Sequence, residues 1–204
     1  VDADLGGANL HTVMGILEPE YTFFDFYTLN RESLNDIILD TNVENLGLIS
    51  GACGTLGLAN PKYSQKIRFI KQLRSVEADF VILDLGAGAS YNVIDFFLCA
   101  DEGLIVTNPD PMAIQEAFHF IKVCLIRKLK RAFHGDKAVT DLLEREEIAR
   151  PGRMQMTMED VIEQVREMDE RTADFFQQIL ESHKPKLILN MVSDDQDIKE
   201  GISI

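Results

Sequence analysis

Ala78-Asp79-Phe80-Val81-Ile82-Leu83-Asp84-Leu85-Gly86-Ala87-Gly88-Ala89-Ser90 is the stretch whose reading decides the fold. Phe80 to Leu83 are four apolar residues without polar alternation, and a turn signal follows at once, so they read as a strand buried on both faces. Asp84 ends that strand at the carboxyl edge, where open α/β sheets bind ligands. A carboxylate there suits a hydrated Mg²⁺, which takes one or two carboxylates together with waters and substrate phosphates. Gly86 and Gly88 carry no Cβ, so the backbone can approach a phosphate closely and offer N–H donors. The plainer reading, a buried strand ending in an ordinary turn, fits this segment as well.

Upstream, Val1-Asp2-Ala3-Asp4 reads as the last residues of a strand whose beginning is missing. Asp2 and Asp4 are two apart, so in an extended chain both carboxylates leave the same face. Gly6-Gly7 breaks the strand, and Asn9 to Thr12 begins a short helical or irregular stretch. Combined with Asp84, this places acidic groups near a metal and an attacking water; alone, it is a solvated acidic terminus. Phe23 to Tyr27 forms a packed segment, Asn30 or Ser33 caps a short helix through Leu39, and Leu46 to Ser50 is a strand. The glycine-rich run Gly51 to Gly57 lacks the Lys-Ser/Thr of a P-loop and reads as a connecting loop.

Pro61 opens a helix at its first turn, with Ile67, Ile70, Leu73 and Val76 as the apolar stripe. Lys66, Arg68, Lys71 and Arg74 read as its solvated face. Downstream of the deciding stretch come a helix from about Asn92 to Cys99 and a strand from Glu102 to Thr107. Asn108-Pro109-Asp110-Pro111 then sets up a helix from Met112 to about Phe133. Helices from about Lys137 to Glu147 and from about Met158 to His183 follow, then a strand from Lys186 to Val192 and the start of another helix from Asp194. Strand–helix alternation predicts a mostly parallel sheet flanked by helices. Three helices exceed what one crossover needs, so about 112–185 reads as a helical insertion, with 134–183 its extra part. That region packs on its own domain or offers a partner surface.

The 204 residues, 46% apolar and 26% charged, suit a single α/β domain with a sizeable core. The formal charge of −14 argues against a broad nucleic-acid surface. Cys53, Cys99 and Cys124 form no Cys-x-x-Cys, which disfavours zinc or iron–sulfur chemistry and favours a reducing compartment. No apolar run approaches the roughly 20 residues of a membrane span. Lys122, Arg127, Lys128, Lys130 and Arg131 complement the carbonyl end of their helix or meet an anionic partner. His11 alone of the four histidines lies near the proposed site. Asn190, at a strand's carboxyl end, reads a base edge or caps a turn.

Together these pieces resemble a family. Val1-Asp-Ala-Asp-Leu-Gly-Gly-Ala-Asn-Leu10 resembles the switch I segment of the MinD/ParA ATPases, Asp84-Leu-Gly-Ala-Gly88 their switch II, and Thr107-Asn-Pro-Asp-Pro111 the strand end after it. The form is closest to MinD-like proteins of the FlhG type, over residues 1 to about 125 and 186 to 204. The resemblance implies a deviant P-loop ATPase holding ATP and Mg²⁺ in a homodimer. Asp4 would act on the attacking water, and Asp84, supported by Asp2, would hold the metal. Gly86, Gly88, Asn9, Pro109 and Asn190 match positions that contact the nucleotide. The family's Gly-Lys-Gly-Gly-x-Gly-Lys-Thr loop is absent from these residues, so the chain reads as one incomplete domain, 1–204, without turnover of its own. The expected setting is cytoplasmic, peripheral at the inner membrane face in the full-length protein, with the membrane-targeting helix lying beyond this chain. An ATP-dependent amidoligase of the cobyrinate/dethiobiotin synthetase type shares the fold. A bacterial tyrosine kinase would carry Arg where Gly6 stands and a tyrosine-rich tail, and a non-catalytic interaction module is the remaining alternative. Which process the protein would position is not written in these residues.

Overall fold

The computed structural model describes residues 1–51, 61–147 and 157–193. The chain divides into two compact units, Val1–Cys99 and Ala100–Ile204. The first contains α1 (Leu10–Val13), α2 (Phe23–Tyr27), β1 (Leu39–Asp40), β2 (Gly47–Leu48), α3 (Tyr63–Leu73) and α4 (Tyr91–Phe97). The second contains β3 (Leu104–Thr107), α5 (Pro111–Ala132), α6 (Lys137–Glu147), α7 (Met158–Met168), α8 (Glu170–Ser182) and β4 (Lys186–Leu189).

In the first unit the Val1–Ala3 segment is hydrogen-bonded on both sides. Asp84 donates its N–H to Val1 O and Ala3 donates to Asp84 O, each at 2.8 Å, in a parallel bridge between Asp2 and Asp84. On the other flank Asp2 N–H reaches Ile49 O at 2.9 Å. Beneath these segments lies a core of Phe23, Phe26, Leu34, Ile37, Phe69 and Phe96, all within 1% of full burial. Phe69 meets Phe23 and Phe96 edge-on at 4.9 and 5.2 Å, the geometry that aligns positive ring edges with negative faces. A capping box between Thr22 and Asp25 starts α2, satisfying two N–H groups that the first turn leaves without partners.

In the second unit β3 and β4 pair in parallel, Leu104 opposite Lys186 through Thr107 opposite Leu189. The whole helical array α5–α8 connects them. Asp110 caps α5 by accepting from Met112 N–H at 2.8 Å, and Pro111 takes the first helical position, where its missing donor costs nothing. Leu129, Leu143, Val161, Val165 and Phe176 are buried in one cluster, so the four helices share a core. The architecture is thus helix-rich α/β with parallel pairing, the fold class read from the sequence.

Several local expectations are corrected. Phe80 and Ile82 are 89% and 75% exposed, whereas Leu83 and Leu85 pack against the core. The segment is therefore covered on one face, not two, because an apolar run records a capacity for burial and not the presence of a second layer. The helix expected from Asn30 or Ser33 to Leu39 is a single 3₁₀ turn, Asn35–Ile37, followed at once by the β1–β2 hairpin. Leu34, not Asn30 or Ser33, is the N-cap of that turn, and Ser33 Oγ accepts from Asn35 N–H at 3.2 Å. Pro61 precedes α3 by two residues and Lys62 is the N-cap, so the proline is not in the first turn. Lys66 is buried, and Arg68 stacks on Phe26 with its guanidinium 4.0 Å from the ring centroid, so α3 has no fully solvated basic face. The long helix expected over Met158–His183 is two helices, α7 and α8. Asp169 breaks it with φ −160° and ψ 125°, then caps α8 by accepting from Thr172 N–H at 2.7 Å. The helix expected from Asp194 and most of the Gly51–Gly57 loop, Cys53 included, lie outside the described residues.

Candidate functional site

The bridge between Asp2 and Asp84 brings the two acidic segments, far apart in sequence, to one end of the parallel pairing. Their side chains have opposite environments. Asp84 is exposed, while Asp2 is 1% exposed. Asp2 Oδ2 accepts from Leu10 N–H at 3.1 Å, which fixes the start of α1. Burial pushes the Asp2 carboxyl above the usual carboxylate range; the Leu10 and Asp4 N–H groups oppose that, and the charges of Asp84 and Asp4 add to it. Next to it, a Cβ on Gly51 would lie 2.4 Å from the Asp2 carbonyl oxygen, so the residue after the Leu46–Ser50 segment must be glycine.

Asp4 is half-buried, and its Oδ1 accepts from Gly7 N–H at 3.0 Å. The same carboxylate lies against Gly86: a Cβ there would sit 2.7 Å from Asp4 Oδ1 and 2.8 Å from Cγ. The closeness of Gly86 is thus taken up by Asp4, a use of this glycine that sequence reasoning missed. Gly88 differs. Its φ of +88° is a left-handed conformation, and nothing lies within 4 Å of the position its Cβ would occupy. Asp4 and Gly86 share the wall of a cleft of about 170 Å³ with Gly6, Ser90, Asn92 and Phe96. Ser90 caps α4 by accepting from Val93 N–H at 3.4 Å.

The remaining predicted positions are less concentrated. Asn9 is exposed at the N-cap of α1 and makes no side-chain cap there. His11, on the same short helix, is half-buried with Nδ1 lacking a hydrogen-bond partner. Pro109 and Asn190 are in the second unit, where Asn190 N–H donates to Thr107 O at 2.8 Å and extends the β3–β4 ladder. A polar group missed at the sequence level stands behind the cleft. Lys66 pairs with Asp95, and its Nζ also donates to Asn92 Oδ1 at 3.3 Å. Among the described residues no three His, Cys, Asp or Glu side chains gather into a protein-only metal cage. No described helix is long and apolar enough to cross a membrane.

Known proteins resemble this chain in sequence. The chain is 27% identical over 172 residues to the septum site-determining protein MinD of Escherichia coli strain K12, covering 81% of this chain and 62% of that protein. It is 29% identical over 125 residues to the antiactivator FleN of Pseudomonas aeruginosa, covering 60% and 44% of the two chains. The flagellum site-determining protein YlxH of Helicobacter pylori is 32% identical over 128 residues, at 60% and 41%. The relatives of this chain are MinD-type proteins. The chain spans 62% of the length of the MinD relatives it matches. No family model matches it. The crystal structure of the Pyrococcus furiosus cell division ATPase MinD superimposes with a TM-score of 0.48 at 21% identity, covering 89% of this chain and 82% of that one.

Proposed function

We propose that this chain is the switch-bearing core of a MinD-type, Mg²⁺-dependent ATPase that dimerises on ATP and serves a site-determining process at the inner membrane face. The single observation that supports this most is the backbone bridge of Asp2 to Asp84, with the Asp4 carboxylate packed against Gly86 in the turn that follows. The residues fit the cofactor. Asp84 is exposed, as a carboxylate holding a hydrated Mg²⁺ must be, and the open Gly88 turn leaves room for phosphate oxygens. The cleft of about 170 Å³ is below the roughly 300–1,000 Å³ of sites that enclose a whole small molecule, which matches the phosphate end of a nucleotide.

In this reading Asp84 holds the metal through water. Asp2 does not reach the metal directly: it ties Val1–Ala3 to α1 through Leu10 and keeps the metal-holding segment in register. Asp4, pinned by Gly7 and Gly86, orients the attacking water, and Gly88 offers its N–H to a phosphate oxygen. Mg²⁺ supplies neutralisation of charge that builds on the phosphates, and the chain's own part is positioning, the larger share of phosphoryl-transfer catalysis. Asn9 would contact the nucleotide. The helical array α5–α8 is proposed as the insertion that meets a protein partner. The test is phosphate release by the full-length protein and by residues 1–204 alone. The full-length protein is expected to turn over Mg-ATP, and the 204-residue chain neither to hydrolyse it nor to bind it tightly. Turnover by the 204-residue chain, abolished by Asp84→Ala, would overturn that expectation.

A further inference from the structure

Lys66 lies on α3 and is 7% exposed, and Asp95 on α4 is 1% exposed. A buried ion pair is weak evidence for stability, because the cost of desolvating both charges offsets much of their attraction. Its presence therefore asks for another reason. The ammonium does not serve Asp95 alone; it also donates to Asn92 Oδ1, and Asn92 forms part of the cleft wall beside Asp4 and Gly86. One helical turn along from Lys66, Phe69 packs edge-on against Phe96, another residue of that wall. So α3 grips α4 twice, by a shared charge and by a ring contact, directly after the Gly86–Gly88 turn.

We infer that Lys66 is a positioning residue for the anion cleft: it fixes Asn92 in the wall next to Asp4, and the bound phosphate depends on that placement. This rests on the proposed phosphate reading of the cleft. Breaking the pair by Lys66→Met alone removes the ammonium that offsets the buried Asp95 charge and endangers folding. The informative variant is therefore K66M/D95L, which removes both charges and keeps an unbranched chain opposite a branched one. It is compared in the full-length protein with Asn92→Ala, Lys66→Arg and wild type. Thermal unfolding without ligand is measured beside the dissociation constant for Mg-ATP by calorimetry. K66M/D95L should melt near wild type yet bind Mg-ATP on the order of tenfold more weakly, the scale seen for groups that support ligand-contacting residues. Asn92→Ala should weaken binding alike, and Lys66→Arg should restore part of it. Wild-type affinity in K66M/D95L or in Asn92→Ala would overturn the inference while leaving the proposed function standing. A wild-type protein that binds no Mg-ATP would overturn both.

Discussion

Replacing Gly86 by alanine tests whether Asp4 is held where the chemistry needs it. The new methyl would start 2.7 Å from Asp4 Oδ1, 2.8 Å from Cγ and 3.1 Å from Oδ2, where ordinary contacts begin at 3.4 Å. The carboxylate must retreat by about 0.7 Å to restore ordinary contact. Retreat stretches or breaks the 3.0 Å bond from Gly7 N–H, a loss of about 1 kcal/mol in stability. The functional cost is larger, because displacing a positioned group by about 1 Å commonly lowers turnover on the order of 100-fold. The assay is phosphate release by the full-length protein, with urea unfolding alongside. Asp4→Ala removes the side chain that Gly86→Ala would strike, so the double variant should be no slower than Asp4→Ala alone. Gly86→Ala turning over at the wild-type rate, or costs that add in the double variant, would refute the reasoning.

Other consequences are independent of nucleotide. Because burial raises the Asp2 carboxyl above its unfolded value of 3.8, the folded form binds a proton that the unfolded form has released. Stability should therefore fall as pH rises from 3.8 through the folded value and then level off. Asp2→Asn should flatten that part of the profile while an amide oxygen still accepts from Leu10, as denaturant titrations across pH would show. Thr157→Ala removes the acceptor for Asp160 N–H at 3.1 Å in the capping box of α7 and should cost about 1 kcal/mol in the second unit, read by urea unfolding. Burial pushes the Cys124 thiol up to about 12, so a disulfide reagent at pH 8 should leave it unmodified until the protein is unfolded.

Features governed by neighbours in sequence were legible. Asn108-Pro109-Asp110-Pro111 announced the start of α5, and the acidic end of the apolar run falls where Asp84 bridges to Asp2. The parallel pairing of β3 with β4 followed from the alternation of strand and helix signals. Features governed by distant partners were not. The apolar stripe from Val161 to Leu180 keeps its helical spacing through Asp169, so only the side chain's capture of Thr172 N–H reveals the break. Lys66 looked solvated because its partner Asp95 lies 29 residues along the chain, and periodicity carries no record of such a pairing. Gly86 was read as making room for a ligand, and its nearness to an oxygen of Asp4 was not visible in the sequence. Of the acidic residues, Asp2 and Asp84 are joined by a backbone bridge, while the burial of Asp2 left no mark in the sequence.

The central claim is that a divalent metal and its triphosphate sit between the Val1–Asp4 segment and the Asp84–Gly88 turn. Substituting Fe²⁺ for Mg²⁺ in the full-length protein with ATP, and adding ascorbate and peroxide, cuts the backbone near the bound metal. Among the 204 residues numbered here, the account predicts ATP-dependent cuts confined to residues 1–4 and 84–88, all lost in Asp84→Ala. ATP-dependent cuts elsewhere, or cuts that persist in Asp84→Ala, would contradict it.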